Sequence, residues 1–177
     1  MSSPDPNTDR FAELALPVSE SLYNFANWLC RDSEQAHELV QETYVKALRG
    51  FSSFRQGTNF RAWIFTILRN TFLTTQAGLD RNRTLSLGGE DSDVDLPVVR
   101  ENPESDLLNR SNSQLIEKAI GELPIPFQEV LLLSDVEGMS YLQISEILCI
   151  PMGTVMSRLA RARKSIRERL KKDLARD

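Results

Sequence analysis

Between Ser33 and Arg49 the residues Ala36, Leu39, Val40, Thr43, Tyr44, Ala47 and Leu48 return at the i, i+3, i+4, i+7 spacing of one buried helical stripe. Glu34, Glu38, Gln41, Glu42 and Lys46 fill the opposite face. Leu22, Phe25, Ala26 and Leu29 repeat the period from Val18 to Cys30, and Arg31-Asp32-Ser33 supplies a break and the next N-cap. Two antiparallel helices follow, and the same period through nearly all of the chain makes the fold class all-α. At 177 residues, 41% hydrophobic and 26% charged, the chain suits one or two small domains and excludes a repeat or collagen-like polymer.

The segment GFSSFRQGTNF (50–60) mixes Gly, Ser and Asn with three phenylalanines and reads as a loop held by aromatic anchors. A third helix begins near Asn59, with Phe60, Trp63, Ile64, Ile67, Leu68 and Thr71 on its buried stripe. Ala62, Phe65, Thr66, Arg69 and Leu73 fall on the other side, where a Phe beside an Arg calls for a partner. From Leu79 to Pro103 the period is lost among Gly88-Gly89, Glu90, Asp91, Asp93, Asp95 and Pro97. The expected organisation is a helical domain over 12–78, a flexible acidic linker over 79–103 and a second helical domain over 104–177.

The second domain opens with a helix over Glu104 to Gly121, and Leu123-Pro124-Ile125-Pro126 turns into another through Val136. After the turn Glu137-Gly138-Met139, Ser140-x-x-Gln143 has the form of a capping box for a short helix, Tyr141 to Leu148. Cys149-Ile150-Pro151 makes a tight turn, and a last helix runs from Pro151 or Met152 to Asp173. Short helix, tight turn and longer basic helix is the layout of a helix-turn-helix. Val155, Leu159, Ala162, Ile166 and Leu170 form the core stripe of the last helix, and Thr154, Ser157, Arg161 and Lys164 face away, flanked by Arg158 on one side and Met156 and Arg163 on the other. Hydroxyl and guanidinium groups at the start of such a helix suit base edges and phosphates in a major groove, whereas a charge run without the capped helix and turn would be a solvated face.

The net charge of −4 conceals a segregation. Residues 46–83 carry seven basic and one acidic side chains and 151–177 carry nine and three, +6 in each block. The remaining blocks are acidic: two basic against eight acidic over 1–45, three against nine over 84–122, and none against four over 123–150. Two separate anionic contacts are expected from this pattern.

Four stretches, AHELVQETYVKAL (36–48), FRQGTNFRAWIFTILRN (54–70), LPIPFQEVLLLSDVEGMSYLQISEIL (123–148) and IPMGTVMSRLARARKSIRERL (150–170), resemble the sigma-70 family of bacterial initiation factors, and within it the small extracytoplasmic-function group. The resemblance implies a first domain that binds core RNA polymerase and recognises and melts the minus-ten promoter element, and a second whose helix-turn-helix reads the minus-35 element. Glu38, Gln41 and Glu42 match the family's patch for core polymerase, although their spacing alone favours a solvated acidic face. The loop Ser52–Phe60 matches the segment that holds a base flipped from the non-template strand, with Asn59, Arg61, Thr66, Arg69 and Asn70 as polar candidates for minus-ten DNA and Trp63 as a core residue. Thr154, Ser157, Arg158 and Arg161 match minus-35 contacts, and Lys164 shares their face. Met156 departs from the family's usual basic residue, and Cys149 from a common Gly at a turn where a left-handed backbone disfavours a Cβ. The acidic linker is either a solubilising tether or, as the resemblance implies, a segment that threads polymerase channels. The resemblance further implies a stress or envelope/redox response and an anti-sigma factor covering the functional faces, for which outward Phe65 and Leu73 are expected contacts.

Neither Walker-type nor GxSxG motifs occur, and the single histidine, His37, has no metal-ligand partner at helical spacing, so no catalytic residue, metal or cofactor is expected. Cys30 and Cys149 belong to no CxxC pair and read as ordinary buried thiols, with a redox sensor as the alternative. The N-terminus lacks a signal peptide's basic and apolar regions, and no aliphatic run approaches a membrane span, so membrane insertion is not expected and the location is expected to be cytoplasmic. The second function class is an autonomous helix-turn-helix regulator acting on duplex DNA without polymerase, which the LVQET and FRAWIF motifs count against.

Overall fold

A computed structural model describes residues 6–86 and 107–175, and every regular element among them is a helix. Helix α1 (Pro6–Ala15) leads through a single 3₁₀ turn to α2 (Ser19–Cys30) and α3 (Ser33–Gly50), which pack antiparallel. Two residues make the reversal. Arg31 closes α2 in the left-handed region at φ 55°, its N–H donating to the Asn27 carbonyl at 2.9 Å, and the Asp32 carboxylate accepts from the N–H groups of Glu34 and Gln35, both at 2.9 Å. The long α4 (Phe60–Ser86) lies against both helices. It continues past the expected linker start at Leu79; the rest of that acidic linker, and the expected helix start at Glu104, lie outside the described residues.

The first lobe is clamped at one end by an aromatic cluster. Phe11 of α1 meets Phe51, Phe60 and Tyr44 edge-on, at centroid distances of 5.3, 5.9 and 6.2 Å. Phe54 stacks on Phe51 at 5.8 Å and touches Trp63 at 4.9 Å. Most of α1, with the buried Phe11, lies outside the sequence-based domain, which begins at residue 12.

The second lobe consists of α5 (Leu107–Gly121), α6 (Ile125–Leu131), a π-helical turn over Leu132–Val136, α7 (Tyr141–Leu148) and α8 (Met152–Leu174). Val155, Leu159 and Ala162 of α8 are buried, with α5, α6 and α7 packed around that helix. The π turn was not legible in the run VLLLSDV; it sits where backbone bonds widen, with Glu137 N–H reaching the Leu132 carbonyl at 2.9 Å.

The lobes touch: α7 of the second packs on α4 of the first. This corrects the expectation for Phe65, which is fully buried with its ring centroid 5.4 Å from Phe25. A helix packed on two faces carries two inward sides, and periodicity assigns the less apolar one to solvent. Ala62, expected on that same outward side, is buried too, while Leu73 is 40% exposed. Two further corrections concern small differences in placement: Leu48, expected in the buried stripe of α3, is 43% exposed, and Cys149, expected to be buried, is exposed at the turn before α8. Cys30 is half-buried, and burial with the charge of Asp32 beside it pushes its thiol up to about 11. No described helix is long and apolar enough to cross a membrane.

Candidate functional site

Three faces carry the candidate residues. On α3, Glu38, Gln41 and Glu42 are all exposed along one ridge. The Glu42 carboxylate pairs with Lys46 Nζ at 2.7 Å, while Glu38 and Gln41 have no side-chain partner among the described residues. The ridge continues into Val45 and Leu48, 47% and 43% exposed. Val45 stood in the sequence as an aliphatic residue on an otherwise polar face, which was the available signal for it.

The second face is the loop 54–59 and the start of α4. Phe54 and Phe60 anchor its two ends in the aromatic cluster, and Gly57 turns it at φ 84°, where a residue with a Cβ is strained. Thr58 Oγ1 donates to the Arg55 carbonyl at 2.6 Å, and Asn59 Oδ1 accepts from Ala62 N–H at 3.1 Å as the cap of α4. Arg55, Gln56, Gly57, Thr58 and Asn59 are exposed, so the loop presents polar groups from a fixed backbone. Of the other candidates, Thr66 spends its hydroxyl on the Ala62 carbonyl at 2.8 Å, and Asn70 is exposed. Arg61 and Arg69 both reach into the second lobe. Arg61 Nη2 lies 2.5 Å from Glu137 Oε2 and its guanidinium sits 5.7 Å over Phe65, while Arg69 Nε donates to Glu129 Oε1 at 2.9 Å.

The third face is the helix-turn-helix. Its capping box is complete: Gln143 N–H donates to Ser140 Oγ at 3.3 Å, and Ser140 N–H to Gln143 Oε1 at 2.9 Å. Cys149 ends α7 in the left-handed region at φ 52°, as the turn demands, and Ser145 Oγ ties the turn by donating to the Ile150 carbonyl at 2.6 Å. On α8, Ser157, Arg161 and Lys164 are exposed and Thr154 and Arg158 half-buried. Met152 and Met156 are exposed beside them, so this face is less basic at its start than the charge count alone indicates. Arg163 forks onto Asp135, with bonds of 3.1 and 2.6 Å that hold the Asp135 carboxyl below its ordinary range.

A family profile described as sigma-70 region 2 matches residues 17–81, and one described as sigma-70 region 4 matches residues 113–166. The ECF RNA polymerase sigma factor EcfG of Rhodopseudomonas palustris is 33% identical over 172 residues, covering 97% of this chain and 91% of that protein. The chain belongs to the sigma-70 family. The ECF sigma factor SigE of Mycolicibacterium smegmatis is 32% identical over 160 residues, 90% of this chain, which spans only 61% of that relative. The sigma factor RpoE of Bartonella quintana, solved in complex with the anti-sigma factor NepR, superposes with a TM-score of 0.73 at 31% identity, covering 92% of this chain and 97% of that one.

In this sigma factor the region 2 match spans α2, α3 and most of α4, and the region 4 match runs from within α5 into α8. The residues that sequence reasoning missed sit within the region 4 match, where the two lobes meet. Glu129 is 2% exposed and Glu137 8%, each paired with an arginine of the other lobe. Burial pushes the Glu129 carboxyl up against the opposing pull of Arg69 and, more weakly, of Arg158. An acid inside PFQEVLLL was the sequence signal, because a buried carboxylate needs a cation, and the cation lay in the other domain. Among the described residues no cluster of His, Cys, Asp and Glu could hold a metal ion.

Proposed function

We propose that this sigma factor binds core RNA polymerase through the α3 ridge of Glu38, Gln41 and Glu42, extended by Val45 and Leu48. The observation that carries the reading is the exposure of that ridge, with Glu38 and Gln41 unpaired among the described residues, in a chain that also holds a complete helix-turn-helix. Around the connecting segment we draw the first domain, expected over 12–78, to take in α1 and the whole of α4, and keep the second, expected over 104–177, as the one that holds α5 to α8.

The anchored loop 54–59 and the polar side chains Asn59, Arg61, Thr66, Arg69 and Asn70 hold the minus-ten strand. Flipping a base out of its stack costs a few kcal/mol, and a loop already fixed by aromatic anchors and an N-cap loses little entropy in offsetting it. Thr154, Ser157, Arg158, Arg161 and Lys164 at the start and middle of α8 contact the minus-35 element, with exposed Met156 offering an apolar contact of the kind a thymine methyl takes. The chain acts by recognition and strand separation, without catalysis of its own, in the cytoplasm. An anti-sigma factor controls it, a reading supported by the similarity to RpoE of Bartonella quintana, which was solved with one.

The test is the affinity of purified core polymerase for the wild type and for Glu38→Ala/Gln41→Ala/Glu42→Ala. All three side chains are exposed, so the variant keeps its helical fold, and the account predicts roughly tenfold or greater weakening. Equal affinity would remove α3 from the interface.

A further inference from the structure

We propose that α1 is a brace for the loop 54–59, and that Phe11 is the residue through which it positions that loop for the minus-ten strand. Phe51 stands at the entry to the loop and Phe60 at its exit, where α4 begins. The Phe11 ring meets both edge-on, with centroids 5.3 Å from Phe51 and 5.9 Å from Phe60, and it reaches Tyr44 of α3 at 6.2 Å. One side chain from outside the region 2 match over 17–81 therefore ties the two ends of the loop to each other and to α3. An edge-to-face contact is directional, so it fixes the tilt of both rings as well as burying them.

Between those ends the loop holds chiefly to itself. Its hydrogen bonds are local: Phe54 N–H donates to the Phe51 carbonyl at 3.0 Å, and the N–H and Oγ1 of Thr58 both donate to the Arg55 carbonyl, at 3.1 and 2.6 Å. Residues 55–59 are exposed, and apart from its chain neighbours no atom lies within 4 Å of the place a Cβ would take on Gly57. Phe54 sits 5.5 Å from Phe60 and 4.9 Å from Trp63, contacts made by the loop with the first turn of its own following helix. Phe11 adds a contact from a separate element, and the tip goes where the two braced ends go. Holding a flipped base offsets the loss of stacking best when the loop need not be ordered in the same step. With Phe11 in place that ordering is complete on folding; without it, each strand separation carries the cost. At 8% exposure the ring itself is out of reach of DNA, so Phe11 is a positioning residue that acts through Phe51 and Phe60.

The inference rests on the reading of the loop as the holder of the minus-ten strand, and the experiment separates the two. Full-length Phe11→Leu keeps most of the apolar volume and removes the ring, so the fold survives; Phe11→Ala is the stronger variant. Leu14→Ala removes packing from the same helix away from the aromatic cluster and controls for stability. Arg55→Ala/Gln56→Ala changes two exposed side chains of the loop and tests the loop itself. Amide hydrogen exchange over 53–60 is measured in each free chain. Each is then combined with core polymerase on a promoter fragment taken from a start site that the wild type directs, fully duplex or premelted by mismatches across the minus-ten element. We expect exchange over 53–60 about tenfold faster in Phe11→Ala and less so in Phe11→Leu, with α2 and α3 unchanged. On the duplex, permanganate-detected opening should be about tenfold slower in Phe11→Ala and about threefold in Phe11→Leu, while core affinity and RNA yield from the premelted template stay within about twofold. Leu14→Ala should open the duplex at the wild-type rate. Wild-type exchange and opening in both Phe11 variants, equal slowing by Leu14→Ala, or a loss that persists undiminished on the premelted template would overturn the brace. A faster-exchanging loop in Phe11→Ala with wild-type opening there and in Arg55→Ala/Gln56→Ala would instead overturn the loop as the strand holder, and the positioning role with it.

Discussion

Arg69 and Glu129 meet across the two lobes, Nε to Oε1 at 2.9 Å, with side chains 15% and 2% exposed. A pair this deep is worth little against an apolar replacement, yet removing one member strands a charge. Glu129→Ala and Arg69→Ala should each lower unfolding stability by about 3 kcal/mol, and Arg69→Met/Glu129→Met by much less than the sum. Urea unfolding of the four chains gives the coupling; additive losses would mean that the two residues act separately.

The cysteines should react differently. Burial holds the Cys30 thiol up to about 11, so almost none of it is thiolate near neutrality, while Cys149 stands exposed. A maleimide at pH 7.5 should label one site rapidly, and peptide mapping should place it at Cys149. Because Cys149 sits at φ 52°, Cys149→Gly should stabilise the fold by about 1 kcal/mol. A lower melting temperature would show that the thiol's contact with the Glu146 carbonyl, at 3.6 Å, outweighs the backbone strain.

Gln128 is fully buried, and neither its amide nitrogen nor its oxygen finds a partner among the described residues. An unpaired buried amide costs about 1–3 kcal/mol. Gln128→Met, close in volume and free of polar hydrogen-bonding groups, should therefore raise stability by about 1 kcal/mol, read from the same urea curves. A loss of similar size would show that the amide is engaged in the folded chain.

Acid should separate two carboxyls by sign. The hydrogen bonds from Arg163 hold Asp135 below its ordinary 3.8, so its contribution is present above that value and is lost as pH falls through the lowered one. The pair is more than a third exposed, so the effect is on the order of 0.5 kcal/mol. Glu129 runs the other way. Its carboxyl is raised above 4.5, so its contribution is full below 4.5 and is lost as pH rises through the raised value. Stability profiles of Asp135→Asn and Glu129→Gln against the wild type should diverge in opposite directions between pH 3 and 7; parallel profiles would contradict both assignments.

Much of this was legible in the sequence, and the gaps share a cause. The caps of α3 and α7 and the turn at Cys149 are fixed by residues within five positions of one another, and the aromatic loop by anchors within twelve, so the sequence carries them openly. What it hid was set by distant segments. Phe65 was assigned to solvent because the surface that covers α4 comes from a separate lobe. Arg61 and Arg69 read as candidates for DNA, with no protein partner in view, because Glu137 and Glu129 lie 76 and 60 residues away. Phe11 was missed because a single aromatic in a short helix has no period to reveal it. The candidate residues on α3 and α8 were legible because exposed polar faces need no partner to be recognised, whereas the contact between lobes is a tertiary fact.

The most direct measurement is transcription itself. Core polymerase, with and without this chain, is given sheared genomic DNA from the source organism, and the 5′ ends of the products are sequenced. The account predicts new, discrete start sites that share two motifs about 25 base pairs apart, appear only with the chain, and fade with Glu38→Ala/Gln41→Ala/Glu42→Ala. Start sites unchanged by the chain, together with tight duplex binding by the chain alone, would contradict it and leave a helix-turn-helix regulator that works without polymerase.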